Sequence, residues 1–347
     1  MKLALVDLLR CPTCSCSALA AHPLEAEDGR CRQGVLVCRQ CSAWYPIWDF
    51  VLDLLPEGRG QPGSRAEFFA RNRPRLEPLG LRHPAAGPVA LDADFTAQVQ
   101  QRAHFDDLAR RDDEFSYRAL GQLPFQRALR DITFDAWRPL IRSGSLVLDV
   151  GCADGLSTFD VAHPGIEVLA FDISPELVAQ AAARADEVQM RNVSFFVGDA
   201  DAIPLAAATV DCVLCYGSLH HVPDPARTLG EATRVLREGG LYLGVENNRT
   251  PLRPAFDLLM RLSPIWREEA GAQAQIGAAE LRRWTAGSDL RLRTRSIVFV
   301  PPHLCNRLGV PAARHLLRWT DSIVGRLPLL RNWGGLISIL GRKGAPA

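Results

Sequence analysis

Several short segments of the chain are apolar without interruption, and most of them end at a glycine or an acidic residue. The clearest is Leu146–Val150, which runs into a glycine turn and then into a predicted helix at 156–162. Uninterrupted apolar runs of this length are typical of strands buried on both faces of a parallel sheet. Further strands are predicted at 167–171, Val193–Val197, Val210–Tyr216, 241–246, 291–300 and 336–340.

Helical patterns alternate with these strands, at 125–141, 175–186 and 225–236. Such alternation predicts βαβ crossovers, so the expected fold class is α/β, with a mainly parallel sheet of seven strands. Ligands of sheets of this kind bind beyond the carboxyl ends of the strands. The residues that fall at this edge are Asp149, Gly151, Asp172, Asp199 and Tyr216.

The turn after the first strand has the chemistry of a nucleoside site. Gly151 and Gly155 allow the backbone to approach a ligand, and the helix that follows offers free N–H groups. Asp172 comes 21 residues after Gly151, where a carboxylate can accept hydrogen bonds from ribose hydroxyls. The spacing is not the G-x-G-x-x-G of dinucleotide sites, because Ala153 stands where the middle glycine would be. The turn therefore predicts a nucleoside-bearing cofactor other than a dinucleotide.

These residues resemble motif I and the following acidic residue of class I S-adenosylmethionine (SAM)-dependent methyltransferases. The resemblance starts at residue 126, includes Asp149–Gly155 and Asp172, and ends at residue 248. It continues through the segments 198–200, 210–216, 219–224 and 231–240. It implies a Rossmann-like fold, SAM as cofactor and methyl transfer as the reaction. Ala153 occupies a position where the family usually has glycine.

The resemblance assigns roles to individual residues. Asp172 would hold the ribose hydroxyls, Ile173 would lie against the adenine, and Asp199 would accept a hydrogen bond from the adenine amino group. Asp154 would contact the cofactor or cap the helix, and a simple turn-forming role is the alternative for Asp199. The full set of expected cofactor-binding residues is Asp149, Gly151, Asp154, Gly155, Asp172, Ile173, Asp199, Ala200 and Tyr216.

Methyl transfer requires a base only where the nucleophile loses a proton during the attack. His220 and His221 follow the fourth strand of the predicted sheet and are the catalytic candidates. The alternative is that these histidines pack or bond to the backbone. Tyr216, Glu246 and Asn247 also lie at strand ends, where they can line the acceptor pocket.

Residues 1–56 form a first unit that contains two C-x-x-C pairs. Cys11 and Cys14 make one pair, and Cys38 and Cys41 make the other, with 23 residues between the pairs. Four thiolates at this spacing can close tetrahedrally around Zn²⁺ and leave no open position for catalysis, so the predicted metal is structural. Two further cysteines, Cys16 and Cys31, are able to replace a member of the set.

This unit resembles the Trm112-like zinc-ribbon family. The matching residues are 6–14, 38–47 and 51–56, with Trp48-Asp49-Phe50 in place of the usual aspartate-glycine turn. Members of that family stabilise or activate methyltransferases. The resemblance therefore implies a methyltransferase partner, and one is encoded in the same chain.

Residues 57–124 are predicted to be a linker followed by lid helices. Glycine and proline recur over 57–90, whereas 93–120 has the spacing of a helix. Aromatic residues from Phe105 to Tyr117 would form a lid over the cofactor or pack in the core. The methyltransferase domain is expected at 125–347, with an insertion at 249–335 whose apolar and aromatic residues lie between arginines. The insertion is interpreted either as a cap for a lipid-like acceptor near a membrane surface or as helices packed on the sheet.

Charge and composition narrow the remaining possibilities. The net charge is +1, but residues 249–347 contain sixteen basic and six acidic residues, a balance of +10. This indicates either a solvated face or a site for an anionic partner. No apolar run reaches the ~18 residues of a membrane span, and the N-terminus is too charged for a signal peptide. A cytoplasmic protein is predicted, whose ten cysteines bind metal or remain free thiols.

Three functions are compatible with this pattern. The first is a SAM-dependent methyltransferase for a small or lipid-like acceptor, with the zinc ribbon as a built-in stabilising or activating module. The second is an RNA or protein methyltransferase that grips its substrate with the ribbon and the arginine-rich region, which the pI of 7.6 does not favour. The third is a non-catalytic SAM-binding partner protein. The sequence does not indicate an oligomeric state.

Overall fold

Most of the chain forms one mixed sheet with helices on both faces. The computed structural model describes residues 1–57, 59, 64–83, 93–265 and 275–344. The strands are β1 (Leu19–Glu27), β2 (Arg30–Cys38), β3 (Trp44–Trp48), β4 (Val51–Asp53), β5 (Leu146–Val150), β6 (Glu167–Asp172), β7 (Val193–Val197), β8 (Val210–Tyr216), β9 (Leu236–Asn247), β10 (Leu290–Ile297) and β11 (Leu336–Lys343). The helices are α1 (Ser64–Leu76), α2 (Ala93–Arg110), α3 (Tyr117–Gly121), α4 (Pro124–Trp137), α5 (Leu156–Val161), α6 (Pro175–Glu187), α7 (Pro225–Val235), α8 (Arg253–Leu262), α9 (Ala278–Trp284), α10 (Pro302–Asn306) and α11 (Val310–Ile323).

The seven strands β5–β11 confirm the predicted α/β fold. Their order is β7-β6-β5-β8-β9-β11-β10, and the first five run parallel to one another. Strand β11 is antiparallel to both of its neighbours. Because helices cover both faces, the central strands are almost wholly buried, which explains their uninterrupted apolar sequences.

The four N-terminal strands continue the same sheet rather than forming a separate one. Strand β4 pairs in parallel with β7, with Leu52 opposite Phe196, and the N–H of Leu54 donates to the carbonyl of Val197 at 2.9 Å. Tyr45 is fully buried in the same apolar cluster as Leu52 and Phe196. The cysteine-bearing unit is therefore joined to the sheet by hydrogen bonds and by a shared core.

Helix α1 lies in the segment predicted to be a linker, and that prediction is wrong for residues 64–76. Phe68 and Phe69 of the helix are buried against Trp44. The Arg65 guanidinium donates to the carbonyl of Leu55. The helix is stabilised by burying these rings against a distant strand, a gain that the charged local sequence does not reveal.

Helices α2 and α3 cover the carboxyl edge of the sheet. Ser174, which starts α6, donates through its hydroxyl to the Asp106 carboxylate of α2 at 2.5 Å. Gln180 of α6 donates to the carbonyl of Ala109 at 2.8 Å. The Phe105 ring packs edge-on against His221, with centroids 5.2 Å apart. Helix α2 is thus held by side-chain hydrogen bonds to α6, and it contacts the segments that follow β6 and β8.

The predicted insertion at 249–335 is not a single insertion, because β10 belongs to the sheet and lies within it. The parts outside the sheet are 249–289 and 298–335. Helices α10 and α11 pack on α4 around Phe125, Leu129 and Leu317. Trp266, one of the aromatic residues expected in this region, lies outside the described residues. Among the helices that are described, none combines the length and the apolar character needed to cross a bilayer.

Candidate active site

A cavity of about 370 Å³ opens at the carboxyl edge of the sheet, beneath α2 and α3. Most of the expected cofactor-binding residues line it: Gly151, Asp154, Asp172, Ile173, Asp199, Ala200 and Tyr216. His220 and His221 line it as well. Asp149 and Gly155 do not. The structure therefore gathers residues from the ends of four neighbouring strands, β5 to β8, around one space, as the parallel sheet requires.

The turn after β5 is shaped by its contact with the loop after β8. Gly151 has φ +72°, and a Cβ there would lie 2.4 Å from the Cβ of Ser218. The N–H groups of Gly151 and Cys152 both donate to the carbonyl of Phe171 at 2.9 Å. Ala153 is also in the left-handed region, with φ +47°. The backbone here bends sharply because neighbouring strands hold it on both sides.

Asp172 ends β6 with its carboxylate anchored to the backbone. Oδ2 accepts a hydrogen bond from the N–H of Ala153 at 3.0 Å, and Oδ1 accepts one from Ser174 at 2.9 Å. Burial raises the pKa of this carboxyl, against the effect of these backbone donors. A carboxylate oxygen has two acceptor positions, so each oxygen keeps one for a ligand hydroxyl.

Asp149 and Gly155 have structural surroundings instead. Asp149 is completely buried, and its Oδ2 accepts hydrogen bonds from the hydroxyls of Ser157 at 3.1 Å and Thr158 at 2.7 Å. Burial raises its pKa to about 6, although these hydroxyls lower it. A Cβ at Gly155 would lie 3.1 Å from both the Cβ of Ala181 and the Phe159 ring. The glycine thus serves the close packing of α5 on α6, and its expected approach to a ligand stays a prediction.

Asp154 is buried beside an arginine of α6. Its Oδ2 lies 3.1 Å from Nη2 of Arg184, while Oδ1 has no hydrogen-bond partner among the described residues. Burial raises the pKa of Asp154, and the Arg184 charge opposes that rise. Gly155 occupies the N-cap position of α5, so Asp154 is not the N-cap residue. It presents one unpaired carboxylate oxygen next to the cavity.

Asp199 has the turn-forming role, and its contact with adenine stays a prediction. Oδ1 accepts from the N–H of Asp201 at 2.9 Å, which starts a 3₁₀ turn. Oδ2 accepts from Nε2 of Gln98 on α2 at 2.9 Å, and Nη1 of Arg59 lies 3.9 Å away. The side chain is thus both a turn former and a point of attachment for the helix that covers the cavity.

His220 is fixed by a buried glutamate at the end of β9. Its Nδ1 lies 2.6 Å from Oε2 of Glu246, and Oε1 of the same carboxylate accepts from the N–H groups of Ser218 and Leu219. A carboxylate that accepts all these hydrogen bonds makes Nδ1 the donor, so Nε2 is the basic nitrogen. Among the described residues, Nε2 forms no hydrogen bond. The arrangement is an imidazole ring oriented by a buried carboxylate.

His221 and Tyr216 complete this side of the cavity. The two imidazole centroids are 3.9 Å apart. The Tyr216 ring packs against Phe134 and Trp137, and its buried hydroxyl has no hydrogen-bond partner within the described part of the chain. Burial raises the pKa of this phenol far above its usual value. Tyr216 is thus a neutral wall of the cavity.

The four expected metal ligands form a compact cluster outside the cavity. The Sγ atoms of Cys11, Cys14, Cys38 and Cys41 all lie within 4.8 Å of one another. The pairs Cys11–Cys41 and Cys14–Cys38 are each 3.6 Å apart. Zn–S bonds of about 2.3 Å in a tetrahedron require edges of about 3.8 Å, so the cluster has the size for Zn²⁺.

Of the two extra cysteines, Cys16 lies next to the cluster, whereas Cys31 is at the opposite end of β2 from Cys38. Sγ of Cys16 lies 3.2 Å from that of Cys38. Sγ of Cys31 is buried and donates to the carbonyl of Gln33 at 3.1 Å. Neither belongs to the group of four.

Sequence reasoning missed the partners that come from distant elements. Gln98 at Asp199, Arg184 at Asp154 and Asp106 at Ser174 have no local signal, because their positions depend on how helices pack. The partnership of Glu246 with His220 was also missed, although both residues had been placed at strand ends.

Comparison with known proteins agrees with this geometry. The family described as "Methyltransferase domain" matches residues 148–244. A ubiquinone biosynthesis O-methyltransferase of Xanthomonas oryzae pv. oryzae is 33% identical over 168 residues, which are 46% of this chain and 68% of that protein. A demethylmenaquinone methyltransferase of Beutenbergia cavernae is 33% identical over 163 residues, 46% of this chain and 64% of that protein.

The likeness to one solved structure is weaker. A geranyl diphosphate methyltransferase solved in complex with SAM is 18% identical, with a TM-score of 0.46 over 63% of this chain and 86% of that chain. The family assignment therefore depends on the sequence relatives and the domain match. The chain belongs to the SAM-dependent methyltransferases.

Proposed function

We propose that the protein transfers the methyl group of SAM to a hydroxyl oxygen of a small, lipid-like, quinol-type acceptor, with His220 as general base. The observation that carries the proposal is the His220–Glu246 pair on the wall of the cavity, 2.6 Å apart. A phenolic hydroxyl is largely protonated at neutral pH, so its attack on a methyl group gains from a positioned base.

SAM supplies the electrophilic methyl group and its own leaving group, and the chain's residues bind and orient it. Asp172 would hold the ribose hydroxyls with the two acceptor positions left free by Ala153 and Ser174. Ile173 and Ala200 would flank the adenine, and Asp199 would accept from its amino group. Asp154 would face the ammonium group of the methionine part with its unpaired oxygen.

His220 would accept the hydroxyl proton of the acceptor on Nε2 as the new O–CH₃ bond forms. Glu246 keeps the ring in the tautomer with the proton on Nδ1 and stabilises the imidazolium that results. His221 is next to this ring and under Phe105, so we assign it to the acceptor wall rather than to proton transfer.

The character of the cavity walls supports an apolar acceptor. The side opposite the sheet is lined by Phe105, Leu120, Leu123, Phe125 and Leu129. Arg130 is the lone lysine or arginine among the described lining residues, and its Nε lies 2.7 Å from Asp160. A phosphate-rich acceptor would thus meet no unpaired cation. The curated relatives named for ubiquinone and menaquinone synthesis point to the same class of acceptor.

We propose further that the four clustered cysteines bind one structural Zn²⁺ and that residues 1–56 stabilise the methyltransferase domain. The boundaries adopted are 1–56 for the ribbon, 57–124 for the connecting segment with its covering helices, and 125–347 for the methyltransferase domain. This proposal is supported by the pairing of strand β4 of the ribbon with β7. Strand β7 ends at Val197, two residues before Asp199.

A labelled-methyl assay tests the reaction. The purified full chain is incubated with methyl-labelled SAM and a short-tailed prenyl catechol, and the product is extracted into organic solvent. His220→Asn preserves a side-chain N–H for Glu246 and removes Nε2. We expect kcat to fall by at least about 100-fold while KM for SAM is unchanged.

A nitrocatechol acceptor provides the matched control. Its hydroxyl is already ionised at the assay pH and needs no base. If His220 is the base, His220→Asn should therefore lose less kcat with this acceptor than with the catechol. The proposal is contradicted if His220→Asn loses kcat equally with both acceptors or loses none. Methylation of a carbon atom of the acceptor would also contradict it.

A further inference from the structure

The exposed apolar side chains of the protein are concentrated in one region. Nine of the thirteen exposed large apolar residues in the described part of the chain lie between residues 252 and 333. The most exposed of these nine are Leu329 at 85%, Leu262 at 75%, Leu258 at 58% and Trp319 at 55%. Isolated surface leucines are ordinary, but a concentration of this kind marks an interaction surface.

Leu252 is the N-cap residue of α8, and the other eight side chains belong to α8, α10, α11 and the segment 324–333. Nε2 of His303 on α10 lies 2.6 Å from the carbonyl of Ser263 at the end of α8. The Thr250 hydroxyl, just before α8, donates to the carbonyl of Trp333 at 2.8 Å. Leu258 and Leu262 are four residues apart on α8, so they share one face of the helix. We call this surface, formed by the exposed apolar side chains of the four elements, the apolar face.

The apolar face is attached to the wall of the active-site cavity. Asn306 of α10 accepts a hydrogen bond from the N–H of Phe125, and Phe125 lines the cavity. The Asn248 amide, next to the cavity residue Asn247, donates to the carbonyl of Gly334 at 2.7 Å. The elements that carry the apolar face are therefore hydrogen-bonded to residues in or next to the cavity wall.

Arginines without counter-charges accompany the apolar side chains. Arg261, Arg307, Arg326 and Arg331 are exposed, and none of them forms an ion pair with the described residues. The acids of the same elements are already engaged, since Asp257 pairs with Arg253 and Asp321 accepts from the N–H of Val298. The face thus combines apolar side chains with unbalanced positive charge.

We propose that the apolar face docks the protein on a bilayer surface that contains anionic lipids. The leucines and Trp319 enter the boundary between headgroups and acyl chains, and the arginines pair with anionic headgroups. The inference rests on the proposed function in one respect, because a lipid-soluble acceptor gives the docked enzyme its substrate. RNA fits less well, since the most exposed residues are aliphatic and offer few planes for base stacking.

Vesicle sedimentation tests the proposal with the full chain and no acceptor. We expect binding to phosphatidylcholine vesicles with 30% phosphatidylglycerol that weakens at high salt, and at least ten-fold weaker binding to pure phosphatidylcholine. Leu258→Ser with Leu262→Ser and Leu329→Ser should weaken binding by at least about ten-fold. Each arginine changed to glutamine should weaken it by about five-fold.

Matched controls lie at the opposite edge of the sheet. Leu140 and Arg142 are exposed near the start of β5, so Leu140→Ser with Arg142→Gln should bind vesicles like the unchanged protein. The proposal is overturned if the protein does not sediment with anionic vesicles or if the control variant loses binding equally. It is also overturned if the apolar variant loses a dimer or RNA binding in place of vesicle binding.

Two readouts separate this inference from the proposed function. In the apolar variant, turnover of a detergent-dissolved acceptor and the SAM-induced rise in Tm should be unchanged. If the unchanged enzyme methylates the quinol but does not bind vesicles, only the docking inference is rejected. Vesicle binding without quinol methylation would reject only the proposed reaction.

Discussion

The N–H of Ala153 donates a hydrogen bond to Oδ2 of Asp172 over 3.0 Å. This bond connects the turn after β5 to the end of the neighbouring strand β6. Since the carbonyl of Phe171 also receives two N–H groups from that turn, three hydrogen bonds join the turn to the end of β6. The cavity wall is therefore organised before any ligand binds, which lowers the cost of ordering it on binding.

Asp172→Asn should weaken SAM binding by at least about ten-fold, because the amide group removes an acceptor and the charge that strengthens it. One amide N–H₂ would also face a backbone donor, lowering the free energy of unfolding by about 1–3 kcal/mol. Calorimetric titration with SAM and urea unfolding measure the two effects.

Asp211→Asn is the matched control for this change. Asp211 also accepts a backbone N–H, that of Leu146 at 2.8 Å, but at the other end of β5. Its replacement should lower stability and leave SAM affinity unaltered. Equal SAM affinity in Asp172→Asn and the unchanged protein would remove Asp172 from the binding site.

The buried Asp149 carboxyl predicts a pH dependence of stability. Its pKa is about 6 in the folded protein and near 3.9 in an unfolded chain, so between these values the folded state binds more protons. Stability from this group is therefore fully present below pH 4 and is lost as the pH rises to 6, by about 3 kcal/mol.

Asp149→Asn cannot titrate, so its stability relative to the unchanged protein should rise by about 3 kcal/mol between pH 4 and pH 7.5. Urea unfolding at four pH values in this range measures the difference. Thr158→Val retains the carboxyl and should keep the pH dependence. Parallel stability curves for Asp149→Asn and the unchanged protein would rule out this origin.

The local sequence predicted the central strands well because burial on both faces leaves a continuous apolar run, as in Val193–Val197. It failed where stability comes from distant partners. Helix α1 contains five charged residues in thirteen and depends on Trp44 and Trp48 for its apolar contacts. The three-residue strand β4 carries no signal for its parallel pairing with β7.

In the site, too, local sequence signals were predictive and contacts between distant elements were not. The sequence predicted that Asp172 and the histidines lie together at the cavity, because strand ends converge at one edge of a parallel sheet. It did not predict the packing contact of Gly155 with Ala181, because that contact depends on how two helices pack. The hydrogen bond from Gln98 to Asp199 connects residues 101 positions apart and has no local trace.

The cysteine cluster predicts about one zinc per chain in the purified protein, measured by atomic emission. Cys14→Ser should lose the metal and lower Tm by about 5–10 °C or more, since zinc binding and folding of such a unit are coupled. Cys16→Ser should keep the metal, because Cys16 lies outside the group of four. Equal metal loss in the two variants would show that Cys16 is a ligand.

The junction between β4 and β7 predicts that the ribbon affects SAM binding as well as stability. Leu52 is fully buried opposite Phe196, whose ring stacks on Phe171 with centroids 5.0 Å apart, and Phe171 lines the cavity. Leu52→Ala should lower the free energy of unfolding by about 2–5 kcal/mol and weaken SAM binding, because the cavity left behind loosens this stack.

Leu24→Ala provides the comparison, since Leu24 is partly buried on β1, the strand furthest from the cavity. It should lower the free energy of unfolding by less than Leu52→Ala and leave SAM affinity as it is. Urea unfolding and calorimetric titration, both at a temperature where each variant is folded, give the two quantities. Full SAM affinity in folded Leu52→Ala would mean that the ribbon stabilises the fold without acting on the site.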